Sequence, residues 1–197
     1  MGVEKVRRKF VGAGQVDGRG GLYSRGMPIF PSPGLMAKGN VYHVDSGHAS
    51  AADAGSGTNP DAPLLTIDYA IGKCTASNGD VILVSEGHAE TITGAAGIAL
   101  DVAGVTIFGL GNGALRPTIT FGTDVAASMD ISAASCRVSN ILFKNNIDSQ
   151  TAMINVTADD VTIENCEFRE GTSKQALIAI LIGAADNDAD RCKVYGC

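Results

Sequence analysis

The sequence predicts an all-β fold, a parallel β-solenoid with an N-terminal capping helix and an extended N-terminal arm. Three observations carry this. First, residues 129–168 contain one pattern twice. Ser128-Met-Asp-Ile-Ser-Ala…Cys136-Arg-Val-Ser-Asn-Ile-Leu-Phe143 returns as Met153-Ile-Asn-Val-Thr-Ala…Val161-Thr-Ile-Glu-Asn-Cys-Glu-Phe168, at a constant offset of 25 residues. Met129 meets Ile154, Ile131 meets Val156, Val138 meets Ile163, Asn140 meets Asn165, Ile141 meets Cys166 and Phe143 meets Phe168. Second, each repeat holds short alternating strands and tight polar turns, with no room for a helix. That excludes leucine-rich and helical repeats and leaves coils of a β-helix. Third, 25 glycines in 197 residues with no tryptophan favour a turn-rich β protein over a helical one.

Residues 1–40 form the arm. They carry Lys5, Arg7, Arg8, Lys9, Arg19, Arg25 and Lys38 against Glu4 and Asp17, so 7 − 2 = +5, and the remainder must carry −11 of the net −6. Such asymmetry points either to an arm that docks on an acidic surface or to a solvated tail. Gly12, Gly14, Gly18, Gly20, Gly21 and Gly26 interrupt any regular element, and residues 27–34 read as extended, polyproline-like chain. Phe10, Tyr23, Ile29 and Phe30 are anchors of the kind a partner's groove accepts. The arm is therefore expected to order on a partner. The basic residues could touch nucleic acid, but a body of −11 opposes a broad nucleic-acid interface. No apolar run is long enough to span a membrane, and the charged start is not a secretory signal.

Residues 41–96 lead into the coils. Val41-Tyr-His-Val-Asp45 alternates as a short strand, and residues 46–63 form a loop rich in Gly, Ala, Ser and Asp. Thr66 is a good N-cap and Asp68 suits the first turn of a helix. Ile67, Ala70, Ile71 and Cys74 make one apolar stripe at helical spacing, and Asn78-Gly79 stops it, which predicts a helix over 66–76. This helix is expected to plug the first coil, because open coils expose unpaired strand edges. A β-rich run over 79–85 follows.

From residue 97 to residue 197 the coils dominate. Val105, Ile107, Gly109 and Leu110 precede Cys136, Val138, Asn140 and Ile141 by 31; Cys192, Val194, Gly196 and Cys197 follow Val161, Ile163, Asn165 and Cys166 by 31. The six extra residues belong in loops, at 111–117 and 184–190. Val105, Cys136, Val161 and Cys192 then form one inward column. Leu110, Ile141, Cys166 and Cys197 form a second. Four of the five cysteines thus sit where Val, Ile or Leu also occur, which reads as small buried hydrophobes rather than redox or metal ligands. The remaining one, Cys74, lies on the helix stripe. Asn140 and Asn165, flanked by Gly109 and Gly196, form a corner column suited to a left-handed bend, and stacked Asn side chains can bond as a ladder. Cys197 falls in mid-coil. The expectation is a longer protein continuing beyond it, or a subunit covering that end.

The series Tyr42-His-Val-Asp-Ser-Gly…Gly57-Thr-Asn-Pro-Asp-Ala-Pro-Leu-Leu-Thr-Ile-Asp-Tyr-Ala-Ile71, Gly79-Asp-Val-Ile-Leu-Val-Ser-Glu-Gly87 and Glu90-Thr-Ile-Thr93 resembles the N-terminal portion of pectate-lyase-like right-handed parallel β-helix proteins. The match covers about residues 41 to 197 and is specific for fold rather than for activity, since that superfamily holds lyases, hydrolases, epimerases and virion parts. A short basic arm fused to the helix resembles tailed-phage tailspike, fibre or head-decoration proteins. The resemblance implies a homotrimer in a virion assembled in the host cytoplasm, fastened to capsid or tail proteins by its arm. Lys5, Arg7, Arg8, Lys9, Phe10, Arg19, Arg25 and Phe30 are the candidate anchor residues.

Polysaccharide cleavage would need converging carboxylates. The outward acids are Asp101, Asp130, Asp159, Asp160, Glu164, Glu167 and Glu170. The register stacks none of them in pairs: Glu164 aligns with Ser139 and Tyr195, and Glu167 with Leu142. A solvated polar face accounts for them, so no catalytic residue is assigned to this segment. A metal site would need the loops of His48 and His88 to converge with Glu86 or Glu90, and no metal or other cofactor is expected. Gly109-Leu-Gly-Asn-Gly113 reads as a coil turn, not a phosphate loop. Asn155-Val-Thr157 fits a glycosylation acceptor but sits inside a strand. The sequence points to a structural virion component. The alternatives are a polysaccharide-degrading tailspike whose active site and host-glycan contacts lie beyond residue 197, and a bacterial adhesin.

Overall fold

The computed structural model describes residues 15–16, 22–24, 27–28, 38–183 and 189–197. The chain divides into two units, Met1–Met36 and Ala37–Cys197. In the first, β1 (Gln15–Val16), β2 (Leu22–Ser24) and β3 (Met27–Pro28) pair antiparallel, with Gln15 opposite Tyr23 and Tyr23 opposite Pro28. This corrects the expectation of a stretch without strands. Strands of two or three residues are too short to show a period, and Pro28 sits at a strand end, on a strand with a neighbour on one side only, where a missing N–H is tolerated.

The second unit begins with β4 (Val41–Val44) and a five-residue helix, α1 (Ile67–Ile71). Then come β5 (Val81–Val84), β6 (Ala89–Ile92), β7 (Ile98–Leu100), β8 (Thr106–Gly109) and β9 (Thr118–Phe121). They are followed by β10 (Met129–Ile131), β11 (Arg137–Ser139), β12 (Leu142–Asn145), β13 (Ile154–Val156), β14 (Thr162–Glu164), β15 (Glu167–Glu170), β16 (Ile180–Ile182) and β17 (Lys193–Tyr195). All of these strands pair in parallel, in three stacked sheets of order β7-β10-β13-β16, β4-β5-β8-β11-β14-β17 and β6-β9-β12-β15. Each of the four passages from β5 to β16 adds one strand to each sheet, and β4 and β17 extend the longest sheet at its two ends.

The register is the one the repeat predicts. Met129 pairs with Ile154 and Ile98, Val138 with Ile163 and Ile107, and Phe143 with Phe168 and Ile119. Alternate residues point inward, and the inward set forms one continuous core. Phe121, Phe143 and Phe168 stack through it, with successive ring centroids 6.3 and 5.4 Å apart, inside the range where aromatic pairs attract.

The column Val105, Cys136, Val161 is buried and ends on half-buried Cys192. Each cysteine thiol in it donates to a carbonyl of the preceding repeat: Cys136 to Val102 at 3.4 Å, Cys192 to Ala158 at 3.5 Å. Burial raises the thiol of Cys136 and pushes that of Cys166 up to about 12, so these groups stay protonated and behave as small hydrophobes. The second column needs correcting at both ends. Ile141 and Cys166 are buried, but Leu110 and Cys197 are exposed. Leu110 opens the longer connection over 110–117, which includes a 3₁₀ turn at Gly113–Leu115. The two-residue corner at Asn140 and Ile141 leaves no such slack and holds Ile141 inward.

The corner asparagines adopt the left-handed conformation, Asn140 at φ 57° and Asn165 at φ 50°. They do not form a side-chain ladder. Asn140 instead donates through Nδ2 to the carbonyls of Gly109 (2.8 Å) and Gly111 (2.9 Å) in the preceding repeat. Gly109 is required because a Cβ there would collide with the Asn140 carbonyl oxygen.

The helix is shorter than the stripe predicts. Thr66 caps it, accepting the Tyr69 N–H through its hydroxyl. Ile67, Ala70 and Ile71 are buried against the first strands. It ends at Gly72, because the Asp80 carboxylate takes the Thr75 N–H at 2.7 Å and draws the chain out of the helical path.

Candidate functional site

All eight predicted anchor residues, Lys5, Arg7, Arg8, Lys9, Phe10, Arg19, Arg25 and Phe30, lie outside the described residues. The described chemistry falls into two groups of charged side chains, one on the outward face of the longest sheet and one at its first strands.

On the outward face, β11, β14 and β17 place Ser139, Glu164 and Tyr195 side by side. Glu164 is only 6% exposed, which corrects its assignment to a solvated face. Arg137 donates to Glu164 Oε1 through Nε (2.9 Å) and Nη2, and the Tyr195 hydroxyl donates to Oε2. Burial alone would raise this carboxyl. Hydrogen bonds from Tyr195, Arg137 and Ser139 outweigh it, and the net shift is downward. The same Glu164 contact raises the Tyr195 phenol.

Glu167, around the corner on β15, accepts from Arg116 at 3.3 Å and from Arg169. Asp130 takes the Ser128 hydroxyl and the Asn155 amide, both at 2.8 Å. Asp159 and Asp160 are held by Arg191, and Asp101 is exposed. Glu170 lines a shallow polar depression of about 220 Å³ with Asp148, Ser173, Lys174 and Gln175.

At the first strands four carboxylates bind backbone. Asp53 accepts from Leu65 N (2.8 Å), Thr66 N (3.1 Å) and the Thr66 hydroxyl (2.9 Å). Asp68 accepts from Ala99 N (2.9 Å) on β7, an edge strand. Asp80, fully buried, accepts from Asn40 N (2.6 Å), Thr75 N (2.7 Å) and Asn78 Nδ2 (2.7 Å). Glu90 accepts from Ile67 N at 3.0 Å, the start of α1, and lies 3.4 Å from His88 Nε2. Unpaired groups at sheet edges and helix starts need such partners. These four roles were not read from the sequence, although Asp80 was within reach: subtracting 25 from Val105 lands on it.

The loop of His48 meets His88 through Ser46, and Glu90 lies beside His88, but His48 itself is engaged elsewhere. His48 Nδ1 accepts Ser50 N within its own loop (3.1 Å), while His88 is buried beside β6. Among the described residues, no group of three or more His, Cys, Asp or Glu is placed to hold a metal ion. Asp53, Asp68, Asp80 and Glu90 satisfy backbone donors, while Glu164 and Asp130 bond side chains on neighbouring strands. Compared with known proteins, the chain matches no family model, no curated protein and no solved structure.

Proposed function

We propose that this chain is a structural component of a tailed-phage virion. Its stacked parallel sheets are read as a right-handed parallel β-helix that projects as a spike, fibre or decoration. Its arm, residues 1–40, fastens it to capsid or tail proteins, and three copies assemble. One observation carries the structural half of this reading. The body's best-placed carboxylates, Asp53, Asp68, Asp80, Glu90 and Glu164, are held in bonds that close the first strands or tie adjacent strands. A carboxylate held this way maintains a shape. The anchoring half rests on the charge split of +5 against −11, which suits docking of the arm on an acidic surface.

The test is deletion of residues 1–40 followed by incorporation into particles. Loss of incorporation with an intact body is expected; unchanged incorporation would overturn the anchor. Sedimentation of the body should give three times the monomer mass. Incubation of residues 1–197 with host polysaccharide should release no new reducing ends. Release that disappears in Glu164→Gln would favour instead a polysaccharide-degrading enzyme.

A further inference from the structure

His88 has no place in the repeating columns, yet its side chain is wholly buried. It joins three elements. Its Nδ1 accepts the Ser46 N–H at 3.0 Å, from the loop over 45–66. Its Nε2 faces Glu90 Oε2 at 3.4 Å, and that same oxygen accepts the Ile67 N–H that opens α1. Beside it, the Ser46 hydroxyl donates to Ala89 O (3.0 Å) and accepts Ala89 N (2.9 Å). A backbone N–H can only donate, so Nδ1 carries a lone pair and the ring proton sits on Nε2, toward Glu90. The ring is neutral in this arrangement.

The loop it holds covers the edge of β4. His43 N donates to Gly57 O (2.7 Å), Asp45 N to Leu64 O (2.9 Å) and Leu64 N to His43 O (2.8 Å). Without the loop, β4 would present an unpaired edge of the longest sheet.

We propose that His88 is a proton-sensitive latch: protonation at Nδ1 releases the loop over 45–66 and uncovers the β4 edge. A proton at Nδ1 sets N–H against the Ser46 N–H and places a charge where no solvent reaches. The opposing gain is a stronger pull from Glu90. That pull is limited, because the Nε2 contact already exists in the neutral ring and Glu90 is shared with Ile67 N. Opening the loop relieves the donor clash and rehydrates the imidazolium.

Of the other titratable and charged groups on these elements, Asp61, Tyr69 and Glu86 are exposed to solvent, and three carboxylates are held by backbone N–H groups. Asp45 accepts Gly47 N, Asp53 accepts from Leu65 and Thr66, and Asp68 accepts Ala99 N. Arg116, two residues before β9, bonds Glu167. Of the two other histidines, His48 accepts Ser50 N inside the loop, and His43, on β4, is lowered by burial.

Hydrogen exchange read by mass spectrometry on the full chain, corrected for intrinsic rates, tests the latch at pH 7.5 and 5.0. Wild type should lose protection over 46–66 about tenfold at the lower pH, while β10 to β14 keep theirs. His88→Gln offers an acceptor to Ser46 and a donor to Glu90 without titrating, and should stay protected at both values. Equal protection of wild type at both pH values, or an equal loss in His88→Gln, overturns the proposal; the latter would assign the effect to His43, His48 or the carboxylates. If His88→Gln does not fold, nitrogen NMR of the wild-type imidazole decides. Protonation of Nδ1 should coincide with loss of the protected Ser46 amide. A ring that stays neutral to pH 5.0, or one that protonates with Ser46 still protected, overturns it.

Discussion

One lattice position is filled in two ways in two regions of the parallel unit. In the regular interior, the column before the longest sheet holds Val105, Cys136 and Val161, all buried. One repeat earlier the same position holds Asp80, also fully buried. An interior repeat has a neighbour on each side, so its backbone is paired and the column needs only volume. Asp80 instead lies next to the edge strand β4, where the backbone donors at Asn40, just before β4, and at Thr75, just after α1, need an acceptor. The carboxylate supplies it. The difference shows that the same sequence lattice is held by packing inside and by hydrogen bonds to carboxylates at its start.

That contrast can be broken in graded steps. Phe143→Ala removes the middle ring of the stack and should cost about 4 kcal/mol in chemical denaturation. Phe168→Ala, at a half-buried ring, should cost clearly less; equal losses would mean that the stack does not dominate the interior. Asp80→Ala should cost about 3 kcal/mol, with lost amide protection concentrated over residues 38–45 and 72–80. A uniform loss would place Asp80 in the interior logic instead. Asn140→Ala loses two bonds and leaves at φ 57° a residue that tolerates the left-handed bend less well than asparagine, worth about 2 kcal/mol, whereas Asn140→Gly should recover part of this by relieving the strain.

The smallest effect is the pH dependence of Glu164. Its carboxyl is lowered in the folded chain because the bonds from Tyr195, Arg137 and Ser139 outweigh burial. Its stabilisation is therefore complete above the ordinary glutamate value of about 4.3 and disappears as pH falls through the lower folded value. Glu164→Gln should flatten the acid limb of the stability curve below that point; an unchanged limb would show that the Arg137 and Tyr195 contacts are not felt in solution.

Legibility followed the physics of each position. The inward columns could be read because a buried face tolerates only apolar side chains of similar size, so Val138, Ile163 and Ile107 betray their equivalence. The left-handed corners at Asn140 and Asn165 could be read because asparagine tolerates that bend. A second left-handed column, Gly79, Gly104, Ser135, Asp160 and Arg191, with φ between 56° and 77°, could not. Serine and arginine carry no signature of that conformation, and one aspartate among them does not mark a column; the stacked turns on either side impose it. Glu164 was misread for a related reason. Outward position in a strand predicts solvent, but Arg137 and Tyr195 on neighbouring strands fold over it.

By itself, the sequence determined the repeat length of 25 or 31 and the register and inward residues of the regular repeats, such as Met129, Val138 and Phe143. Periodicity and volume are properties of the chain that survive without coordinates. The tertiary structure alone decided which carboxylates serve the backbone at the first strands, where the helix stops, and that His88 grips Ser46. Each of those depends on groups 5 to 42 residues apart meeting within hydrogen-bond distance. No local pattern encodes such a meeting; the stacking of one repeat on the next creates it.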